Sequence, residues 1–147
     1  MNLLIWNRPK MFIKDLSYQV EFSIYCERHY CKDFLRKYKP KQWLETKKTI
    51  IATLERAHAF QNTNLIDNLK FSQEDGIGLF KLDFRVAGTN FSPKTSGNRV
   101  VFSLCNNTGK VNVLLVYGKD HCDKKHSETQ WIFENIKANF PEYRKYC

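Results

Sequence analysis

Arg99 heads the apolar run RVVFSLC, and the next apolar run, VNVLLVYG, ends in the polar stretch KDHCDKKH. Between residues 99 and 126 the chain therefore sets a guanidinium, the phenol of Tyr117, the imidazoles of His121 and His126, and the ammonium groups of Lys119, Lys124 and Lys125. These are groups suited to an oxyanion. Arginine offers a planar fork that matches two phosphate oxygens. Histidine exchanges a proton near neutral pH. Upstream, GLFKLDFRV adds Lys81 and Arg85. Read as a strand, it puts Phe80, Leu82, Phe84 and Val86 on one face and Lys81, Asp83 and Arg85 on the other. The same alternation in RVVFSLC separates Val100, Phe102 and Leu104 from Arg99, Val101 and Ser103. If the apolar sets share a core, Lys81, Arg85 and Arg99 share the opposite, open face, with Tyr117 at its rim and the basic stretch along its border. The expectation is a phosphate-facing surface. The competing reading is a row of solvated charges, and Asp83, which could pair with either neighbouring cation, supports it.

The whole chain leans the same way. Its 147 residues carry 24 Lys and Arg against 15 Asp and Glu, a net charge of +9 that favours an anionic partner, nucleic acid first. With 42% hydrophobic and 14% aromatic residues it can build a core of one domain, residues 1–147, and is not a disordered tail. Five cysteines, an odd number without a CxxC pair, indicate free thiols in a reducing compartment. His121, Cys122 and His126 could approach a metal, but no second ligand pair accompanies them, so no metal and no cofactor is expected. The first residues, MNLLIWNRPKMFIKD, lack the build of a signal peptide, and no run reaches the roughly 18 apolar residues of a membrane span. Together these point to the cytoplasm and to no membrane partner.

The elements that must position these groups follow from periodicity. Residues 1–16 read as an irregular lead-in to a core at 18–140. YQVEFSIY alternates, with Tyr18, Val20, Phe22 and Ile24 on one face of a strand. From about Arg28 the spacing of Tyr30, Phe34, Leu35 and Tyr38 becomes helical. Pro40 opens a second helix running to about Phe60. Residues 61–77 read as a loop with at most a short piece of structure around Leu65 to Phe71. Strands follow at 78–86, 99–105 and 111–118, the last two joined by the tight turn NNTG. Ser127 caps a final helix with Trp131, Ile132, Ile136 and Phe140 as its apolar stripe. The predicted order is β-α-α-β-β-β-α: an α+β fold with an antiparallel meander sheet and helices packed on one face.

The segments FKLDFR, GNRVVF and KVNVLLVYGKD, in that order and spacing, resemble the RelE/ParE superfamily of bacterial toxins, and the resemblance spans about residues 18–140. It implies a RelE-like fold, endonucleolytic cleavage of mRNA, on the ribosome in some branches, and neutralisation by a small antitoxin protein. It also implies that Arg99 stabilises the scissile phosphate, that Lys81 and Arg85 hold RNA, and that Lys119, His121 and Tyr117 supply acid–base chemistry. Lys124, Lys125 and His126 would add RNA contacts. The chemistry is coherent by itself: attack by the RNA 2′-hydroxyl needs a base, cations around the phosphorane and an acid for the leaving 5′-oxygen. Three features depart from the pattern. The lead-in is long, the loop at 87–98 is extended by FSPK, and no carboxylate stands out as the base. Other branches of the superfamily inhibit DNA gyrase, so a toxin that cleaves nothing and a plain basic RNA-binding domain are alternatives.

Overall fold

The computed structural model of the chain describes residues 17–60 and 65–147; the expected lead-in at 1–16 lies outside them. The chain opens with β1 (Gln19–Phe22), then short helices α1 (Ile24–His29) and α2 (Cys31–Lys37), the long helix α3 (Pro40–Glu55) and one turn, α4 (Ala57–Phe60). Strands β2 (Ile66–Ser72), β3 (Ile77–Phe84), β4 (Asn98–Cys105) and β5 (Lys110–Gly118) follow. A 3₁₀ turn (Lys119–His121), helix α5 (Glu128–Asn139) and a C-terminal 3₁₀ segment (Pro141–Tyr146) end the chain.

The sheet order is β1-β5-β4-β3-β2. β2 to β5 form the expected antiparallel meander, extended by one strand, while β1 pairs parallel with β5 and makes the sheet mixed. The segment around Leu65 to Phe71, expected as at most a short piece in a loop, is thus largely a full edge strand. Its polar, mostly exposed residues give little alternation to read, because one edge and one side face water. The first strand is shorter than YQVEFSIY suggests. Ser23 turns the chain into α1 by accepting the Cys26 N–H at 3.1 Å, and Ile24 becomes an exposed helix residue.

The expectation of helices on one face only is corrected. α1 to α3 cover the face bearing Phe80, Leu82, Phe84, Val100, Phe102 and Leu104. α5 and the C-terminal segment cover the other, burying Trp131, Ile132, Ile136, Phe140, Tyr143 and Tyr146 against Leu79, Val101, Leu114, Leu115 and Tyr117. The second core has a physical source in β5. Its register against β4 slips between Val101 and Phe102, so Leu114 and Leu115 both enter the α5 side, and the alternation that assigns faces breaks there. Each fully buried Ile-sized side chain contributes about 1.5–3 kcal/mol, so α5 is a committed layer of the fold.

Candidate functional site

Lys81, Arg99 and Tyr117 sit on three adjacent strands and point to the same face, as strand phase predicts. Asp83 pairs with Arg99 across β3 and β4, and Arg99 with Tyr117 across β4 and β5. The face is not open. Glu128, the first residue of α5, reaches down onto it: its Oε2 accepts the Tyr117 hydroxyl at 2.5 Å and lies 3.6 Å from Lys81 Nζ and 3.9 Å from Arg99 Nε. Three donors from three strands thus converge on one carboxylate oxygen. Ser127 fixes the helix start with a capping box, Oγ accepting the Gln130 N–H at 3.1 Å and the Ser127 N–H donating to Gln130 Oε1 at 3.1 Å. Trp131, one turn on, lies tilted at 55° with its ring 4.8 Å from that of Tyr117 and helps bury it.

Arg99 is 5% exposed, and its environment explains the extended loop before it. Nη1 donates to the carbonyls of Asn98 at 2.9 Å and Pro93 at 3.3 Å, and Nη2 donates to that of Lys94 at 3.1 Å. Nε faces Asp83 Oδ1 at 3.0 Å. The inserted FSPK therefore wraps its carbonyls around the guanidinium. Gly97, at φ +76°, and the Ser96 hydroxyl, donating to the Phe84 and Pro93 carbonyls, hold the loop's return to β4. In this conformation both Nη atoms and Nε are engaged, so the expectation of Arg99 on an open, phosphate-facing surface is corrected: the residue is an inward ion-paired anchor. Burial pushes the Asp83 carboxyl up, with the Arg99 charge opposing it. Burial would also raise Glu128, but the Tyr117 hydrogen bond and the Lys81 and Arg99 charges outweigh it and hold its carboxyl below the usual value. Tyr117, buried and bonded to that carboxylate, is pushed well above the usual phenol range. Lys81 remains partly accessible, its side chain 15% exposed, with Asp67 at 3.9 Å as a second partner.

The other expected site residues divide into two groups. Lys119 and His121 follow β5 directly. Lys119 is exposed, with its N–H donating to the Gly97 carbonyl at 3.0 Å. His121 is half-buried and held at both nitrogens: Nδ1 accepts the Gly118 N–H at 2.9 Å, and Nε2 lies 3.1 Å from Asp33 Oδ2 on α2. Arg85, Lys124, Lys125 and His126 are exposed on loops. Arg85 donates to the Thr89 carbonyl at 3.2 Å, and His126 pairs with Asp123 at 3.1 Å. Sequence reasoning missed Glu128, whose only signal is its place beside a helix cap. It also missed Asp33 and Asn98, which meet His121 and Gly118 around a cavity of about 250 Å³ on the opposite face.

No family model and no curated protein matches the chain. Among solved structures it is similar to a chain of the archaeal RelE–RelB complex from Pyrococcus horikoshii OT3, at 10% identity over 70% of this chain and 96% of that one, with a TM-score of 0.45. It is also similar to the isolated E. coli RelE toxin, at 19% identity over 83% of this chain and 98% of that one, with a TM-score of 0.37. Among the described residues no helix is long and apolar enough to cross a membrane.

Proposed function

We propose that this protein is the toxin of a toxin–antitoxin pair, a cytoplasmic endoribonuclease that cleaves mRNA, on the ribosome or free, by attack of the RNA 2′-hydroxyl. The observation that supports it best is the convergence of Lys81, Arg99 and Tyr117 on the Glu128 carboxylate. A site that collects a cation, a buried guanidinium and a phenol around one oxyanion is chemically suited to a phosphate when Glu128 swings aside. The displaced carboxylate then stands beside the phosphate as the base that sequence alone does not reveal. Lys81 and Arg99 meet the charge that builds on the phosphorane. Lys119, at the end of β5, is the candidate for protonating the leaving oxygen, whereas His121 is turned to Asp33 on the opposite face. Arg85, Lys124, Lys125 and His126 extend the basic surface that holds the strand, and a small antitoxin would neutralise it.

A second reading has its own support. Three carbonyls already hold the Nη atoms of Arg99 and Asp83 balances its charge, which suits a protein that grips RNA, or a partner such as DNA gyrase, without cleaving anything. Induced expression followed by RNA analysis separates the two. The enzyme reading expects growth arrest with fragmented mRNA, and Lys81→Gln, a partly exposed residue whose loss leaves the core intact, relieves both. Arrest with intact RNA supports the second reading. Unchanged arrest and cleavage by Lys81→Gln removes the assigned site.

A further inference from the structure

Asn98 and Arg99 are consecutive in β4, so they face opposite sides of the sheet. Arg99 enters the charged site under α5. Asn98, 8% exposed, enters the cavity on the helical side, which Asp33, Phe34 and Lys37 of α2 border opposite Gly118, Asp120 and His121. The cavity measures about 250 Å³. That is slightly below the roughly 300–1,000 Å³ of ordinary small-molecule sites, a size for one heterocycle. Its chemistry is polar at one edge and aromatic at another. Asn98 uses its main chain within the fold, donating its N–H to Ser96 Oγ at 3.1 Å and accepting from Arg99 Nη1 at 2.9 Å. Among the described residues its side-chain amide has no hydrogen-bond partner, although the residue is more than nine-tenths buried. Its amide opens onto the cavity rather than into the core, so it is free to meet a ligand there. Asp33 lines the same cavity, with Oδ2 on His121 Nε2 and Oδ1 left to a 3.9 Å contact with exposed Arg36. The Gly118 N–H fixes the imidazole by donating to Nδ1, so a neutral His121 presents its N–H to Asp33 and orients that carboxylate. A Cβ on Gly118 would lie 2.6 Å from Oδ1 of the exposed Asp120 side chain and 3.2 Å from Asn98 Oδ1, so both carboxylate and amide border this glycine.

We propose that this cavity is a nucleobase subsite that selects a base bearing an exocyclic amino group, taken from the RNA strand whose phosphate meets Lys81 and Arg99; the strand's identity rests on the proposed function. An amino group offers two N–H donors, one to the Asn98 amide oxygen and one to the Asp33 carboxylate. The amide N–H then meets the base's neighbouring ring nitrogen or carbonyl, as asparagine does with adenine. Phe34 supplies an apolar wall, and Lys37 stands at the mouth, where a phosphate attached to the base would lie. Uracil has no amino group, so one of its carbonyls would confront the Asp33 carboxylate.

Calorimetric titration of the full chain with AMP, CMP, GMP and UMP, and with inorganic phosphate alone, tests the subsite without any cleavage. The expected result is saturable binding of at least one amino-bearing nucleotide, with UMP at least tenfold weaker, since a bidentate base contact discriminates by about 1–3 kcal/mol. Asn98→Ala weakens the preferred nucleotide about tenfold. Asp33→Asn keeps an acceptor for His121 but turns an N–H toward the ligand, and so narrows or reverses the discrimination against UMP. Equal affinity for all four nucleotides, complete displacement by inorganic phosphate, or no saturable binding overturns the subsite. The Lys81→Gln variant, tested the same way, retains base discrimination. A protein that discriminates bases but leaves RNA intact would sink the nuclease reading while keeping this one.

Discussion

Arg99 and Asp83 face each other at 3.0 Å with both side chains 6% exposed, and this pair decides how the site must be tested. Removing one partner of a buried ion pair strands the other charge, at a cost of about 3–5 kcal/mol. Arg99→Ala is therefore expected to lose stability on that scale in urea unfolding, so any loss of activity it shows reports the fold as much as the chemistry. Replacing both partners with apolar residues is expected to cost less than the sum of the single changes, which a double-mutant cycle reads directly. The two carboxylates of the site also respond to pH with opposite signs. Glu128 has its carboxyl held down, so its stabilising contribution is present above the ordinary glutamate value of 4.5 and is lost as pH falls through its lower folded value. Asp83 has its carboxyl pushed up, chiefly by burial, so its contribution is complete below the ordinary aspartate value of 3.8 and fades as pH rises through its higher folded value. Denaturation of wild type and Glu128→Gln across acid pH should show their stability gap closing as pH drops below the ordinary glutamate range. The gap between wild type and Asp83→Asn should shift toward the variant as pH rises from strong acid. A gap that is flat with pH for Glu128→Gln would mean that Tyr117, Lys81 and Arg99 do not hold that carboxylate.

Helix α5 is the element that turns an expected open sheet face into a closed site, and its start is its most sensitive point. Ser127 accepts the Gln130 N–H at 3.1 Å, and deleting such a cap costs about 1 kcal/mol. Ser127→Ala is expected to lower the midpoint of thermal unfolding by about 3 °C, as a 1 kcal/mol loss does in a chain of this size. The frayed first turn should also release Glu128 from Tyr117, visible as a change in Tyr117 absorbance with pH; an unchanged Tyr117 titration would mean that Glu128 stays in place without the cap. α5 itself was legible in the sequence, cap and apolar stripe included, because a helix announces itself by local periodicity. So were the meander strands and the common face of Lys81 and Arg99, which need only the two-residue alternation. What covers that face was not legible. The stripe of Trp131, Ile132, Ile136 and Phe140 shows that α5 packs on something apolar but not on which side of the sheet. The decisive clue, the paired entry of Leu114 and Leu115, lies in a register slip that alternation hides. Arg99 illustrates the same limit. Strand phase gave its face, but the carbonyls of Pro93 and Lys94 that help enclose it come from a loop whose path no periodicity records. Glu128, Asp33 and Asn98 escaped notice because each matters only through a residue distant in sequence.

At the scale of the molecule, most Lys and Arg side chains among the described residues stay in water, while the site's own cations are internally paired. Arg85, Lys119, Lys124 and Lys125 are exposed around the ends of the strands, beyond the buried pair. Under the proposed function, that division assigns two jobs: an outer shell to attract a polyanion through water, and an inner site for a phosphate that displaces Glu128. The outer shell should be sensitive to salt, because each phosphate it neutralises releases a bound counterion. For a single strand the logarithm of the binding constant falls with the logarithm of salt concentration by about 0.7 per neutralised phosphate. Fluorescence-anisotropy titrations of a short RNA across a salt series should therefore give a line whose slope counts the contacts. If Lys124 and Lys125 each hold a phosphate, changing both to Gln should reduce the slope by about 1.4, twice that increment, and weaken binding similarly for every RNA sequence. Lys81→Gln should change the slope by no more than one increment but remove cleavage, since it belongs to the inner site. A slope unchanged by the Lys124 and Lys125 substitutions would place the RNA elsewhere on the surface. Binding independent of salt would mean that the excess positive charge serves a partner other than a nucleic acid.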